Sequence, residues 1–120
     1  MFELSIQGDM ASAHFLRGYQ GKCKDLHGHT WKIEVVIASG RLDAIGMVAD
    51  FAVLKKQLKD FLMAIDHVCL NDLPYFQAVN PTTENIAKYI YAQFGKVIAP
   101  LNIKTVQVWE SDTTSVKYYE

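Results

Sequence analysis

The sequence has few cysteines and no excess of charge of either sign. Its 120 residues include two cysteines, too few for the disulfide frameworks that hold small secreted domains together. Twelve Lys and Arg residues balance thirteen Asp and Glu residues, which gives a formal net charge of −1. A broad nucleic-acid-binding face needs a basic surplus, so we expect no nucleic-acid partner.

Long apolar runs are also missing. The run at residues 61–65 is far shorter than the roughly 20 residues that a membrane-spanning helix needs. Met1 is followed by Phe2 and Glu3, not by the basic stretch and apolar run of a secretory signal. We therefore expect a cytoplasmic protein without a membrane partner.

The composition that is present suits a globular domain. Half of the residues are hydrophobic and 21% are charged. A chain of this size can bury roughly two thirds of the surface that its unfolded form exposes. We expect a single domain over residues 1–120, with a core that needs no crosslinks.

Strand-like alternation of apolar and polar residues occurs in four segments. Residues 2–7 alternate, and Gly8 and Asp9 predict that this first strand stops or bulges there. Residues 30–39 alternate with many β-branched residues and predict the clearest strand. Residues 103–110 and 116–119 predict two more strands, joined by a polar turn.

Two helices are predicted between the pairs of strands. Apolar residues at spacings of three and four predict a helix over residues 52–64. Asn80 and Pro81 suit the cap and the first position of a second helix, which we expect to end near Val97. The order ββααββ predicts an α+β fold, in which two helices cover one face of an antiparallel sheet.

Three of the four histidines lie before residue 30. His27 and His29 flank Gly28, and in an extended segment their side chains point to the same face. An antiparallel return of the chain can bring His14 opposite this pair. Three neutral imidazoles with an open fourth position are typical of catalytic zinc sites. The alternative is a chance pair of histidines on a half-exposed strand.

Cys23 precedes His27 by four residues and lies between two lysines. A thiol next to cations ionises readily and can act as a base. The alternatives are a fourth zinc ligand or a small buried side chain. We interpret Cys69, which follows Val68, as a packing residue.

Other candidate groups lie further along the chain. Asp66 and His67 suit a general acid or base, although the pair taken alone favours an ordinary helix end. Glu110 ends an apolar strand, where it either binds a ligand edge with two donors or is solvated. Thr82 and Thr83 are either capping hydroxyls or ligand contacts at a helix start.

These features occur in a recognisable order along nearly the whole chain. They are His14, C-K-D-L-H-G-H at 23–29, G-M-V-A-D-F at 46–51, D-H-V-C-L-N at 66–71, N-P-T-T-E-N at 80–85 and Glu110. In this the sequence resembles the family of 6-pyruvoyltetrahydropterin and 6-carboxytetrahydropterin synthases. The resemblance implies the tunnelling fold, in which ββααββ subunits join their sheets into a barrel, commonly as a hexamer made of two trimers.

The resemblance also implies roles for the candidate residues. The three histidines would bind zinc, Cys23 would abstract a proton, Asp66 and His67 would complete a catalytic triad, and Glu110 would anchor the pterin. The compact chain is most similar to the bacterial queuosine-pathway branch, a lyase that converts 7,8-dihydroneopterin triphosphate to 6-carboxytetrahydropterin, acetaldehyde and triphosphate. The runner-up is elimination of triphosphate to 6-pyruvoyltetrahydropterin. A non-catalytic zinc or pterin-binding module is the more remote alternative.

Overall fold

The computed structural model describes residues 1–120 and contains four strands and three helices. The strands are β1 (Phe2–His14), β2 (His27–Ser39), β3 (Asn102–Ser111) and β4 (Thr114–Tyr118). The helices are α1 (Phe51–Met63), α2 (Tyr75–Ala78) and α3 (Thr83–Ile98), with short 3-10 turns at Lys22–Lys24 and Leu70–Asp72.

The strands form one antiparallel sheet in the order β1-β2-β3-β4. Helix α1 packs on β1, and α3 packs on β3 and β4. The inward-facing residues of strands and helices form one continuous hydrophobic cluster. The predicted α+β fold, with two long helices on one face of the sheet, is confirmed. None of the helices combines the length and the apolar character that crossing a membrane requires.

The predicted interruption of the first strand at Gly8 and Asp9 is wrong, because β1 continues to His14 without a break. Gly8 instead allows α1 to lie close to the sheet. A Cβ atom at Gly8 would lie 2.8 Å from Leu62 Cδ1 and 3.3 Å from Leu58 Cδ2. A glycine inside a strand therefore marks the close approach of a helix here, not the end of the strand.

The predicted start of the second long helix is also wrong by two residues. The cap is Thr82, whose hydroxyl accepts a hydrogen bond from the amide of Asn85 (3.1 Å). Asn80 does not cap the helix, because its side chain is bonded to the backbone of Arg17. The connection from α1 to α3 also contains α2. The sequence did not predict this short helix, because the segment has polar and turn residues.

We predict that Gly8→Val destabilises the fold although valine favours strands. Leu58 and Leu62 are almost fully buried in the hydrophobic core, so displacing them disturbs its packing. Overpacking of this kind typically costs about 1–3 kcal/mol, which thermal unfolding measures as a lower Tm. Gly40→Val is the matched control, because the nearest atom to a Cβ at Gly40 is Met1 Cε at 4.0 Å. Equal Tm changes in the two variants would contradict this packing argument.

Candidate active site

The register of β1 and β2 brings three histidines to one end of the sheet. His14 lies opposite His27, and Ser12 lies opposite His29. All four side chains are on the face that also carries the core, directly after the Met10 and Trp31 pair. The pattern of alternate residues thus places the histidines as the last layer of that face.

The three imidazoles are close enough to share one metal ion. One ring nitrogen from each of His14, His27 and His29 lies within 4.8 Å of the others. The ring centroids of His14 and His27 are 4.5 Å apart, and those of His27 and His29 are 4.8 Å apart. The predicted meeting of the three histidines is confirmed, which makes this a candidate metal centre.

Backbone carbonyls fix the orientation of two of the rings. His14 Nδ1–H donates to the carbonyl oxygen of Pro81 (2.7 Å), and His27 Nδ1–H donates to that of Asp25 (2.7 Å). Carbonyl oxygens only accept, so the lone pair of each ring remains on Nε2. Metal-binding histidines are commonly oriented by such bonds.

The surroundings of two of the Nε2 atoms favour a bound ligand at this position. The Nε2 atoms of His14 and His29 are buried and have no hydrogen-bond partner. Buried polar atoms without a partner are rare in native proteins, because their desolvation is not compensated. A metal ion bound by both nitrogens would satisfy them, so the residues fit a metal.

The surroundings also favour the neutral form that binds a metal. Burial lowers the pKa of His14, and the charges of His27 and His29 lower it further, against the opposing effect of the Pro81 carbonyl. Burial likewise lowers the pKa of His29, although Glu110 opposes this shift. Neutral imidazoles do not have to lose a proton before they bind a cation.

The structure brings Glu110 and Thr83 to the same place. Glu110 Oε1 lies 3.8 Å from His29 Nε2. The hydroxyl of Thr83, which is 9% exposed, donates to Glu110 Oε2 (3.0 Å). Thr82 is occupied as the cap of α3. Glu110 is thus a carboxylate held beside the histidines by a neighbouring hydroxyl, and is not a freely solvated strand end.

Asp66 and His67 form a separate pair on the outer edge of β1. His67 Nδ1–H donates to Asp66 Oδ2 (2.8 Å), and Asp66 Oδ1 accepts from the amide of Ala11 (2.7 Å). The Ala11 amide and the His67 ring lower the pKa of Asp66. The His67 side chain is 80% exposed, and its φ of 54° lies in the left-handed region that non-glycine residues rarely adopt.

His67 also lies beside an open surface depression on β1 and β2. His67 and His29 line one open surface depression, together with Thr30 and Val68. With Nδ1 bound to Asp66, His67 Nε2 is available to accept or donate a proton in this depression.

The two cysteines are free thiols with different surroundings. Cys23 is half-buried in the 3-10 turn before β2, and its carbonyl oxygen accepts from the amide of Leu16 (2.9 Å). Cys69 is also half-buried, and its thiol lies 3.9 Å from Asn71 Oδ1. No hydrogen bond involves the thiol of Cys23, which leaves it free for chemistry.

The backbone carbonyls that accept hydrogen bonds from His14 and His27 could not be predicted from the sequence. The oxygens of Pro81 and Asp25 orient His14 and His27, but any residue type supplies such an oxygen. Only the Pro81 carbonyl lies in a segment that the sequence singled out, the N-P-T-T-E-N motif at 80–85. What places the Pro81 carbonyl is the tertiary packing of the loop that precedes α3.

Comparison with known proteins agrees with this geometry. The family model of 6-pyruvoyl tetrahydropterin synthase matches residues 3–120. The chain belongs to the 6-pyruvoyl tetrahydropterin synthase family. The fold agrees as well: the structure of the Caenorhabditis elegans 6-pyruvoyl tetrahydropterin synthase superposes with a TM-score of 0.87 at 26% identity, over 99% of this chain and 95% of that one.

Two curated relatives have the names of two different synthases. The 6-carboxy-5,6,7,8-tetrahydropterin synthase of Synechocystis sp. is 37% identical over 113 residues, which cover 90% of this chain and 85% of that protein. The human 6-pyruvoyl tetrahydrobiopterin synthase is 42% identical over 103 residues, which cover 82% of this chain and 70% of that protein.

We predict that His27→Ala and His29→Ala each abolish stable metal binding, because two imidazoles cannot replace three convergent ligands. The variants are incubated with a divalent transition metal and desalted, and the bound metal is measured by mass spectrometry of the digested protein. His67→Ala is the control, which should keep its metal because this ring is bonded to Asp66. Full occupancy in both cluster variants would refute the assignment.

Proposed function

We propose that this protein is a zinc-dependent 6-carboxytetrahydropterin synthase. It converts 7,8-dihydroneopterin triphosphate to 6-carboxy-5,6,7,8-tetrahydropterin, acetaldehyde and triphosphate, a lyase reaction of queuosine biosynthesis. The observation that carries the proposal is the similarity to the Synechocystis synthase over 90% of the chain, with the metal-binding geometry intact.

Zinc suits the donor set of the proposed centre. Three imidazoles from His14, His27 and His29 leave a fourth position open, as in catalytic zinc sites, whereas structural sites are normally closed and rich in thiolate. When bound, the ion supplies Lewis acidity that makes the protons of substrate hydroxyl groups easier to remove.

The protein's own side chains would bind the substrate and move its protons. Cys23 would accept a proton from the substrate side chain, since its thiol is half-buried and unpaired. His67, oriented by Asp66, would exchange protons through Nε2. The carboxylate of Glu110 would accept the two N–H groups of the aminopyrimidine edge.

The two threonines at the start of α3 would support this binding. Thr83 bonds to Glu110 and would keep its carboxylate aimed at the pterin. Thr82 would contribute through its hydroxyl proton, because a hydroxyl that accepts the cap bond from the Asn85 amide can still donate to a substrate.

The proposal includes a cytoplasmic homohexamer of single-domain subunits over residues 1–120. Both cysteines are free, which fits a compartment where thiols stay reduced. β4 and the part of β1 before Ala11 are open edges of the four-stranded sheet, and Phe2 at the start of β1 is 48% exposed. Open edges of this kind pair readily with further strands, so they suit joining of sheets between copies.

A second candidate function is 6-pyruvoyltetrahydropterin synthase, which eliminates triphosphate from the same substrate. The human relative, at 42% identity, favours it. Nearly the same residues serve both reactions, so the products have to distinguish them.

The proposal is tested by incubating the zinc-loaded protein with 7,8-dihydroneopterin triphosphate and identifying the products by mass spectrometry. We expect 6-carboxytetrahydropterin together with acetaldehyde. Pyruvoyltetrahydropterin without acetaldehyde would replace the proposal with the second candidate. A lack of turnover would favour a non-catalytic zinc or pterin-binding module.

We predict that Cys23→Ala keeps its zinc but loses turnover. Loss of a general base typically lowers kcat by about 10²–10⁴-fold. The matched control is Cys69→Ala, a second half-buried free thiol, which should retain activity. A binding module would show no change in ligand binding in either variant, and a fully active Cys23→Ala enzyme would remove Cys23 from the mechanism.

A further inference from the structure

The outer edge of β1 is paired with a row of groups that do not belong to any strand. The Ala11 amide donates to Asp66 Oδ1 (2.7 Å), and the Ala11 carbonyl accepts from the amide of His67 (2.5 Å). The Ala13 amide donates to the carbonyl of Val68 (3.0 Å). The segment after α1 thus takes the place of a neighbouring strand.

The same row continues beyond the end of β1 through two asparagine side chains. The Phe15 amide donates to Asn71 Oδ1 and its carbonyl accepts from Asn71 Nδ2, both at 2.9 Å. The Arg17 amide donates to Asn80 Oδ1 (3.0 Å) and its carbonyl accepts from Asn80 Nδ2 (2.8 Å). A carboxamide offers one acceptor and one donor side by side, so each asparagine imitates a residue of a paired strand.

The hydrogen bonds of this row are made by every second residue, so the backbone groups of the residue between two bonded residues face the opposite edge. In extended chain, successive backbone groups face opposite edges. With Phe15 and Arg17 bonded on the outer edge, the amide of Leu16 faces the other side and donates to the carbonyl of Cys23 (2.9 Å). Apart from bonds within the loop itself, this is the only hydrogen bond to residues 18–24.

Both asparagines are themselves held in place. Asn71 is 4% exposed, and its own carbonyl accepts from Gln77 Nε2 (3.0 Å). The carbonyl of Asn80 accepts from Asn85 Nδ2 (2.9 Å) at the start of α3. The guanidinium of Arg17 donates to the carbonyls of Phe76 (2.5 Å) and Val79 (2.9 Å), which bracket the end of α2.

We propose that Asn71 and Asn80 are positioning residues for Cys23. Their carboxamides fix the backbone of Phe15 and Arg17. The Leu16 amide between them is thereby held in place to bond the carbonyl of Cys23, in the turn that carries the thiol. The proposal rests on the proposed function only for the part that Cys23 plays in turnover.

The test uses Asn71→Ala and Asn80→Ala, each in a Cys69→Ala background so that Cys23 is the only thiol. Asn102→Ala is the matched control, because Asn102 is exposed and its side chain makes no hydrogen bond. Amide hydrogen exchange and the rate of alkylation by iodoacetamide at fixed pH are measured on the folded, zinc-loaded protein.

In the Asn80 variant, we expect exchange at Leu16 to accelerate by at least about tenfold, although its own acceptor is untouched. Cys23 alkylation should change in rate. Asn80 is only half-buried, so we expect Asn80→Ala to fold. This variant therefore tests the positioning role even if Asn71→Ala does not fold. Wild-type exchange at Leu16 and wild-type alkylation of Cys23 would overturn the proposal.

Kinetics separate positioning from simple stabilisation. Misplacement of a catalytic group lowers kcat by about ten- to a hundredfold with little change in KM. A purely stabilising role would lower Tm and leave kcat unchanged at temperatures well below unfolding, which would also overturn the proposal. Exchange and alkylation need no turnover, so a failure of the proposed function is recognised separately from a failure of the positioning role.

Discussion

The register between β1 and β2 is the constraint on which the candidate site depends. It pairs Ile6 with Val35 and Met10 with Trp31, and these buried pairs fix which residues of each strand face the helices. A shift of one strand by a single residue would turn its whole set of side chains to the other face. The same register therefore sets the core and, two layers beyond the Met10 and Trp31 pair, the meeting of His14 with His27. Burial of the core therefore sets the arrangement of the three histidines, and this arrangement does not require a metal ion.

The second constraint is the covered edge of β1. Edge strands expose unpaired backbone groups, which proteins commonly cover. Here the groups that cover the edge include Asp66, His67 and two asparagine carboxamides. Protection of the edge and placement of the candidate catalytic groups are thus achieved by the same hydrogen bonds. The left-handed backbone at His67 is one consequence, because its amide has to turn towards Ala11.

Local patterns predicted most of the fold and the centre of the site. Alternation predicted the strands and put His27 and His29 on one face, and the antiparallel return predicted that His14 would join them. The errors at Gly8 and Asn80 share a cause, since each residue responds to a distant part of the chain. Gly8 makes room for Leu62, and Asn80 is bonded to Arg17. Single-sequence periodicity carries no information about such partners.

We predict a zinc centre of three imidazoles that leaves Cys23 free. X-ray absorption spectroscopy at the zinc edge of the loaded protein tests it most directly, because nitrogen and sulfur ligands differ in bond length. The account predicts light-atom ligands only, with zinc–nitrogen distances of about 2.0–2.1 Å. A sulfur ligand at about 2.3 Å would show that Cys23 or Cys69 binds the metal, and would contradict both the open centre and the proposed base.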